Sequence, residues 1–316
     1  MAPETQPAAK GALFADVGGA TVTEAVPLGP LTTFEIGGPA QLVVVAETLA
    51  ALTEVVERCR RHALPLLVLG GGSNLLVSDR GVAGVALRLG AGFDYVRADP
   101  NATGGAVLEV GAATSSAKTL RRAARLGLSG LEMLAGVPGS IGGALVMNAG
   151  GREGEIGAAV RRVQVLEAGA RRWIDAAAAG FGYRHSAFPQ GAILVAVELD
   201  LRADLPEVIG ARVHAAVDRR RATQPLHQAS AGSVFKNPPG RFAGQLIEAA
   251  GCKGLKEGGA EVSERHANFI VNTGEASAAD VLRLIREVQR RVLAHAGVSL
   301  ELELRLVGDF AEGGQP

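Results

Sequence analysis

The stretch Val68-Leu-Gly-Gly-Gly-Ser-Asn-Leu-Leu-Val-Ser-Asp79 organises the rest of the chain. The apolar run at 66–69 predicts a buried strand, and a second apolar run, 75–77, follows the three glycines. Glycines without Cβ atoms let the backbone adopt positive φ and approach a ligand closely. Successive N–H groups in such a loop form an anion site. The stretch therefore predicts a loop for a phosphate-bearing cofactor, and a plain tight turn between strands is the alternative.

Strands and helices alternate before this loop. Residues 41–46 predict a strand, and Thr48 can cap a helix that runs to about His62. The loop has neither the Gly-Lys-Ser/Thr of a P-loop nor a G-x-G-x-x-G that opens a helix, so neither nucleotide fingerprint applies. The hydrophobic pattern predicts further strands at 82–89, 93–98, 107–110, 160–168, 193–201 and 268–271, and helices at 115–125, 207–223, 243–250 and 277–296.

A second glycine cluster spans residues 134–151. Pro138-Gly139 signals a turn, and Ser140 can cap a short helix over 141–148 whose first N–H groups would face an anion. Gly142 and Gly143 would admit a flat ligand or a neighbouring strand, and a turn with a tightly packed helix is the alternative. Two anion sites built from glycine favour a long diphosphate ligand such as a dinucleotide.

Three later stretches carry polar side chains whose role the sequence alone leaves open. Arg184 lies between aromatic residues in a predicted loop, and an Arg in such a place usually packs or forms an ion pair at the protein surface. The loop at 229–239 holds hydroxyl, Lys and Asn side chains that could bind phosphate or donate a proton, unless it is a rigid surface loop. Residues 300–307 alternate Leu with Glu301, Glu303 and Arg305, which predicts a half-exposed antiparallel strand or a Glu that lines a cleft.

Composition narrows the class of protein. The chain has 316 residues and zero formal net charge, which suggests two or three domains and argues against general binding of nucleic acid or a membrane surface. Its two cysteines and six histidines fit no metal-ligand spacing. No apolar run approaches the roughly 20 residues that a membrane-spanning helix requires. The Pro/Ala-rich residues 1–10 predict a disordered tail.

Several motifs in order resemble one family, the UDP-N-acetylenolpyruvoylglucosamine reductases, flavoenzymes that make UDP-N-acetylmuramate for peptidoglycan. These motifs include LGGGSNLLVSD, GVPGSIGGALVMNAG, YRHSAF, GSVFKNP and HANFIVN, and the resemblance covers roughly residues 31–308. The short interval between Arg184 and Gly232 resembles the family's second type, which lacks a substrate-covering insertion. The segment Gly150-Gly-Arg-Glu153 departs from the Tyr that often follows NAG, and Cys252 from a more usual aliphatic residue.

The resemblance implies an α+β fold with a two-subdomain FAD-binding domain of the PCMH/VAO type, followed by a smaller α+β substrate-binding domain. The expected boundaries are a loosely packed tail at 1–30, the FAD domain at 31–205 with subdomains at about 31–68 and 69–205, the substrate domain at 206–308, and a C-terminal tail at 309–316. It further implies non-covalent FAD, NADPH as co-substrate, UDP-N-acetylglucosamine enolpyruvate as substrate, and a cytoplasmic monomer. Another FAD-dependent oxidoreductase of the same FAD-binding fold is the alternative.

Matched position by position, the resemblance implies catalytic roles for Arg184, Ser233 and Glu303, and substrate contacts from Tyr183, Arg184, Lys236 and Asn237. The chemistry suits these residue types, because Arg can pair with a carboxylate that gains charge and a hydroxyl can protonate the adjacent carbon. No metal is expected. The implied cofactor contacts are Gly70, Gly71, Gly72, Ser73, Asn74, Leu75, Val137, Pro138, Gly139, Ser140, Gly142, Gly143 and Asn148.

Overall fold

The computed structural model describes residues 10–99 and 106–310, and the chain divides into two compact units that are interleaved in sequence. The first unit is built from the described parts of Met1–Val26, Ala40–Gly70 and Ala83–Gly210. The second is built from Pro27–Pro39, Gly71–Val82 and the described part of Ala211–Pro316. This grouping differs from the contiguous segments expected from sequence, and the assignment of FAD and substrate to separate domains stays a prediction.

The helices and strands mostly lie where the hydrophobic pattern predicted them. The helices are α1 (Leu49–Arg61), α2 (Ser116–Arg125), α3 (Ile141–Val146), α4 (Pro206–Thr223), α5 (Ala243–Ala249) and α6 (Ala278–Ala296). The strands are β1 (Ala20–Pro27), β2 (Pro39–Ala46), β3 (Leu66–Val68), β4 (Leu75–Val77), β5 (Val82–Leu89), β6 (Val96–Ala98), β7 (Ala106–Gly111), β8 (Leu128–Ser129), β9 (Gly150–Gly151), β10 (Gly154–Glu155), β11 (Val160–Glu167), β12 (Ala170–Asp175), β13 (Ile193–Ala203), β14 (Lys256–Glu257), β15 (Ala260–Val262), β16 (Ile270–Asn272) and β17 (Arg305–Val307).

The first unit contains a four-stranded sheet in the order β1-β2-β5-β3, in which β3 and β5 run parallel. Helix α1 buries Leu52, Val55 and Cys59 in a core shared with this sheet. The helix begins as the sequence predicted, because the Thr48 hydroxyl accepts a hydrogen bond from the Ala51 N–H at 3.1 Å. Strand β3 is less buried than predicted, since Val68 is 43% exposed.

A second sheet in the same unit has the order β12-β11-β13-β7-β6, with β8 paired to the end of β13. All of these pairings are antiparallel. Strand β13 is buried along most of its length, so its near-continuous apolar sequence reflects burial on both faces. Helices α2 and α3 belong to this unit, and α3 contacts both β7 and β13.

The second unit packs α5 and α6 with the antiparallel sheet β14-β15-β16 around one hydrophobic core. Helix α6 has the predicted capping box between Ser277 and Asp280, and Gly297 ends it in the left-handed region at φ 65°. The Asp79 carboxylate adds a second cap, because its two oxygens accept from the N–H groups of Ala278 and Ala279 at 2.8 and 3.0 Å. The last residue of the first glycine motif therefore anchors this helix.

The predicted disordered or loosely packed tail at 1–30 is wrong where the structure describes it. Residues 10–30 are not a loose tail, because β1 joins the first sheet and Phe14 and Leu28 are buried. Asp309 and Phe310 also make contacts, since the Asp309 carbonyl accepts from the Ser78 hydroxyl and Phe310 packs on the second core. The disordered tail predicted for residues 1–10 lies, apart from Lys10, outside the described residues, as do 311–316.

The predicted last strand is also shorter and paired differently. Only Arg305–Val307 form a strand, β17, and it runs parallel to β4 rather than antiparallel. Leu302 makes an isolated antiparallel bridge with Phe235, so the segment before β17 has a different neighbour. The alternating Leu pattern predicted one extended strand. Instead, Leu302 pairs with Phe235 and β17 pairs with β4, so the predicted strand is divided into two parts with different neighbours.

Candidate active site

The first glycine loop is exposed at its start and tightly packed at its end. Gly70 and Gly71 are exposed, whereas Gly72 is buried with φ 62°. A Cβ on Gly72 would lie 2.2 Å from the Leu31 carbonyl oxygen, and the Thr33 N–H donates to the Gly72 carbonyl at 3.1 Å. Gly72 is therefore required for packing against the chain's own backbone. Gly70 and Gly71, by contrast, are exposed, so a ligand could approach their backbone.

Within the first unit, Gly70 at the start of the first glycine loop lies against Ser140 of the second glycine loop. A Cβ on Gly70 would lie 2.6 Å from Ser140 Oγ, so the absence of a side chain permits this contact. Ser140 is buried and caps α3 as predicted, because its hydroxyl accepts from the Gly143 N–H at 3.3 Å. Val137 and Pro138 precede it in a turn in which the Val137 N–H donates to the Leu134 carbonyl at 3.0 Å.

The start of α3 does not offer the free N–H groups that the sequence predicted. The Ile141 N–H donates to Thr114 O at 2.8 Å, and the Gly142 N–H donates to Ala112 O at 2.9 Å. A Cβ on Gly142 would lie 3.1 Å from that Ala112 oxygen, so this glycine admits a neighbouring segment of chain. The prediction that this helix start has free N–H groups is therefore wrong for Ile141 and Gly142, whereas the cofactor contacts expected of this loop stay a prediction.

A buried hydroxyl beside the second glycine loop was missed by the sequence analysis. Ser116 begins α2 with 0% exposure, and its N–H donates to the Gly139 carbonyl at 3.0 Å. Among the described residues its Oγ has no hydrogen-bond partner. An unsatisfied buried hydroxyl is costly, so the position fits a ligand with polar atoms such as FAD. No sequence pattern pointed to Ser116, because Ser115 is the residue that caps α2.

Arg184 lies in a tight turn of the first unit. Gly182 and His185 exchange two backbone hydrogen bonds of 3.0 Å, which leaves Tyr183 and Arg184 at the centre of the turn. Arg184 has φ 53°, an uncommon conformation for a side chain of its size, although its side chain is only 17% exposed. Its guanidinium contacts Glu155 Oε1 at 3.5 Å and Gly150 O at 3.4 Å, and lies 5.0 Å from the Tyr183 ring centroid.

The Asn148 side chain is already engaged by protein groups. Its Nδ2 donates to Glu155 Oε2 at 2.8 Å and to Gly182 O at 2.9 Å. Its Oδ1 accepts from the Gly157 N–H at 2.8 Å. An amide nitrogen carries two N–H donors, and both have partners here. Its expected contact with a cofactor therefore does not come from this N–H₂ group, and the amide instead joins the NAG segment to the Arg184 turn.

In the second unit, Ser233 and Glu303 come from segments that lie side by side. The Glu303 N–H donates to the Val234 carbonyl at 2.9 Å, and Ser233 forms a bridge with Phe269 on its other side. The buried Asn268 holds the same segment, because its amide accepts from the Phe235 N–H at 3.0 Å and donates to the Phe235 carbonyl at 2.8 Å. The sequence showed Asn268 within HANFIVN but not this pairing across the chain.

Asn74 of the first glycine loop lies on the opposite side of Glu303. Its Nδ2 donates to the Glu303 carbonyl at 3.0 Å, and its own carbonyl accepts from the Arg305 N–H at 3.1 Å. Ser73 precedes it as a half-buried residue, and Leu75 begins β4. The structure thus gives Asn74 a part in holding the Glu303 segment, in addition to the cofactor contact expected of it.

The two expected substrate residues after Ser233 have protein partners. Lys236 Nζ pairs with the Glu301 carboxylate, and the Lys236 N–H donates to the Glu301 carbonyl at 2.8 Å. Asn237 Oδ1 accepts from the Ala243 N–H at 2.9 Å and so caps α5. Nearby, burial lowers the pKa of His266, whose Nδ1 accepts from the Asn268 N–H at 3.2 Å. This imidazole is therefore neutral at pH 7.

The described residues also bear on metal binding and on membrane insertion. No group of three or more His, Cys, Asp or Glu side chains in the described part of the chain is arranged to hold a metal ion. Within those same residues, no helix combines the length and apolar character that crossing a membrane would require.

Comparison with known proteins identifies relatives over nearly the whole chain. Residues 224–307 match the family model described as UDP-N-acetylenolpyruvoylglucosamine reductase, C-terminal domain, and residues 40–171 match the model described as FAD binding domain. The reductase of Anaeromyxobacter sp. (strain Fw109-5) is 44% identical over 90% of this chain and 88% of its own. That of Heliobacterium modesticaldum is 45% identical over 92% and 91%. The crystal structure of the reductase from Thermus caldophilus aligns with a TM-score of 0.78 at 42% identity over 91% of this chain and 98% of that one.

Proposed function

The chain belongs to the UDP-N-acetylenolpyruvoylglucosamine reductase family, FAD- and NADPH-dependent oxidoreductases of peptidoglycan synthesis, and we propose that Arg184, Ser233 and Glu303 are its catalytic groups. The reaction reduces the enolpyruvyl group of UDP-N-acetylglucosamine enolpyruvate to a lactyl ether and yields UDP-N-acetylmuramate. The match of residues 224–307 to the reductase C-terminal domain disfavours a different oxidoreductase that shares only the FAD-binding fold. We further propose that the enzyme acts as a cytoplasmic monomer without nucleic-acid or membrane partners, in keeping with its zero formal net charge.

The observation that carries the assignment is the backbone hydrogen bonding around Ser233. The bond from the Glu303 N–H to the Val234 carbonyl, at 2.9 Å, supports the proposal because it joins the two distant segments of sequence that carry Ser233 and Glu303. The Asn268 amide pairs with both backbone groups of Phe235 and restrains the same segment. A proton donor needs this kind of fixed backbone, because small errors in placement are costly for proton transfer.

Each proposed catalytic group has a distinct task. Bound FAD, once reduced by NADPH, would supply a hydride to the methylene carbon of the enolpyruvyl group. As that C–H bond forms, the electrons of the C=C bond move toward the carbon that bears the carboxylate. Arg184 pairs with the carboxylate and stabilises the charge that spreads into it. Ser233 Oγ–H protonates the adjacent carbon and regains a proton from water, so that one hydride and one proton have been added.

Glu303 acts on the same developing charge. An ionised carboxylate would repel the enolate, so Glu303 is proposed to act either as a neutral carboxyl or by orienting Arg184. Its backbone is restrained by hydrogen bonds on both sides, to Val234 O through its N–H and from Asn74 Nδ2 to its carbonyl. Lys236 and Asn237 are proposed to hold the diphosphate and sugar of the substrate, and Tyr183 to contact it beside Arg184.

The FAD is proposed to be bound without a covalent link. Gly70 and Gly71 offer exposed backbone, and Ser116 offers a buried hydroxyl without a protein partner beside Gly139. The remaining proposed contacts are Gly72, Ser73, Asn74, Leu75, Val137, Pro138, Ser140, Gly142, Gly143 and Asn148, several of which the structure also uses to hold the loops themselves.

The test is a flavin absorbance spectrum of the purified protein. We expect a yellow protein whose flavin absorbance is lost on addition of NADPH and recovers on addition of UDP-N-acetylglucosamine enolpyruvate. Recovery with oxygen alone and none with this substrate would contradict the proposed function and favour a flavin oxidase of the same fold.

A further inference from the structure

Two of the acceptors that face the Arg184 guanidinium come from one short hairpin. Strands β9 and β10 pair in antiparallel register with Glu155 opposite Gly150. Because these residues are cross-strand partners, the hairpin presents a carboxylate and a carbonyl together, Glu155 Oε1 at 3.5 Å and Gly150 O at 3.4 Å from the guanidinium nitrogens.

The hairpin permits this only because Gly150 has no side chain. A Cβ at that position would lie 2.1 Å from Gly154 O and 2.6 Å from Glu155 Cα. Both contacts are with backbone or Cα atoms, so no rotation of a flexible side chain could relieve them. Gly150, the last residue of NAG, therefore permits a compact hairpin that carries Glu155.

The buried Asn148 connects this hairpin to the turn that holds Arg184. Its Nδ2 donates both to Glu155 Oε2 at 2.8 Å and to the Gly182 carbonyl at 2.9 Å. Gly182 is the residue that closes the turn around Tyr183 and Arg184. One amide thus fixes the carboxylate and the turn relative to each other.

We infer that Glu155 is a positioning residue for Arg184 and that Asn148 holds Glu155 in place. The inference rests on the catalytic role proposed for Arg184. A guanidinium on a flexible stem loses rotamer freedom when it is ordered. If a protein partner already orders Arg184, this entropy is lost on folding and substrate binding is not weakened by it.

The length of the ion pair explains why Glu155 orients the guanidinium without competing strongly for it. Charge-assisted bonds between guanidinium and carboxylate are usually about 2.7–2.9 Å long. The Arg184–Glu155 contact is 3.5 Å, whereas Glu155 is bonded to Asn148 at 2.8 Å. A substrate carboxylate can therefore form the shorter bond. The left-handed backbone at Arg184, φ 53°, is a conformation that surrounding contacts must maintain.

The experiment is a double-mutant cycle with Glu155→Gln and Arg184→Ala, followed by stopped-flow absorbance of the FAD-loaded enzyme. Glu155→Gln keeps the size of the side chain and removes its charge. We expect it to slow the half-reaction with enolpyruvyl substrate by about 10-fold, with the NADPH half-reaction unchanged. In the Arg184→Ala background the same change should cost less than about 2-fold, because its target is gone. Glu153→Gln, an exposed acid in the loop of the same hairpin, is the matched control and should leave both half-reactions unchanged.

Two results would overturn the inference: no effect of Glu155→Gln in the parent enzyme, or the same fold loss when Arg184 is already Ala. If Glu155→Gln does not fold, Glu155→Asp replaces it, since it keeps the charge and shortens the side chain by one methylene. It should likewise slow the half-reaction with substrate in the parent enzyme and have little effect when Arg184 is already Ala. The parent protein and Arg184→Ala alone report on the proposed function. A parent that never reduces the substrate, or an Arg184→Ala enzyme with normal turnover, refutes that function and removes the premise of the inference.

Discussion

At the scale of single residues, peptide groups place the side chains that carry the proposed chemistry. The segments that carry Ser233 and Glu303 lie side by side because the Val234 carbonyl accepts from the Glu303 N–H at 2.9 Å, and Asn268 secures the neighbouring Phe235. These bonds do not involve the Ser233 hydroxyl or the Glu303 carboxyl. Both side chains can therefore be replaced while the backbone bonds that position them remain.

Ser233→Ala should separate the two half-reactions. Bleaching of the flavin by NADPH should keep its normal rate, because no carbon is protonated in that step. Reoxidation by the enolpyruvyl substrate should slow by about 10²-fold or more, as expected for the loss of a positioned proton donor. Stopped-flow absorbance measures both rates. Equal slowing of the two would identify Ser233 as a structural or binding residue.

Glu303→Gln and Glu301→Gln should differ in how much turnover each loses. Glu303→Gln should lose most of its turnover while FAD stays bound. The Glu301 side chain is 74% exposed and pairs with Lys236, and exposed pairs of this type contribute little. Glu301→Gln should therefore keep near-normal kcat and change the KM for substrate by only a few-fold. Steady-state kinetics of both variants decide the matter, and a larger loss of kcat in Glu301→Gln would reverse the assignment.

At the scale of elements, the two glycine loops and the helix caps are positioned by contacts made far along the chain. Asp79, at the end of the first glycine motif, accepts from the Ala278 and Ala279 N–H groups at 2.8 and 3.0 Å. The negative carboxylate also complements the positive end of the helix dipole. The sequence showed the capping box of α6 but gave no sign of this second cap.

Asp79→Ala should destabilise the protein by about 1–2 kcal/mol, because it removes two acceptors and a favourable charge from the start of α6. The midpoint of urea unfolding, followed by circular dichroism, measures the effect. Asp309→Ala is the control, since that carboxylate is exposed and pairs with the exposed Arg80. Matching midpoints in the two variants would mean that the cap contributes nothing measurable.

Gly70→Val should weaken FAD binding without unfolding the protein. A Cβ at Gly70 would lie 2.6 Å from Ser140 Oγ, so a branched side chain must displace the residue that caps α3. We expect a folded apoprotein with a raised Kd for FAD, measured by quenching of flavin fluorescence. Gly18→Val is the control, because a Cβ there would meet nothing within 4 Å. Full flavin occupancy in Gly70→Val would show that this contact is not part of the cofactor site.

At the scale of the whole molecule, two short segments explain why the compact units interleave. Within the second unit, the Gly38 N–H donates to Ser78 O at 2.9 Å, and a Cβ at Gly81 would lie 1.8 Å from Pro39 O. Strand β4 also pairs in parallel with β17. The segments Pro27–Pro39 and Gly71–Val82 are thus tied to each other and to the end of the chain rather than to their sequence neighbours.

The two cysteines provide a probe for each unit. Cys59 lies in the core of the first unit and Cys252 in that of the second. Burial raises the pKa of the Cys59 thiol to about 11 and also raises that of Cys252. The thiolate is the reactive form, so a disulfide reagent at pH 8 should modify neither residue in the native protein and both after unfolding in guanidinium. Rapid modification of either thiol in native protein, located by mass spectrometry, would contradict this burial.

The sequence by itself determined the features that depend on neighbouring residues. Thr48, Ser140 and Ser277 cap their helices as expected, Gly297 ends α6, and the ordered motifs pointed to the family that the comparisons then showed. Capping and turn chemistry involve atoms within a few residues of each other, so the identity of the side chain nearly fixes the outcome.

Only the tertiary structure decided which polar groups already have partners. The Asn148 amide is engaged by Glu155 and Gly182, the first N–H groups of α3 are engaged by Ala112 and Thr114, and Ser116 alone has a buried hydroxyl without one among the described side chains. Glu155 likewise owes its proposed role to the register of its hairpin and to an ion pair with Arg184, which lies 29 residues later in the chain. Such pairings depend on how distant segments pack, because any polar residue can meet several partners and burial selects among them.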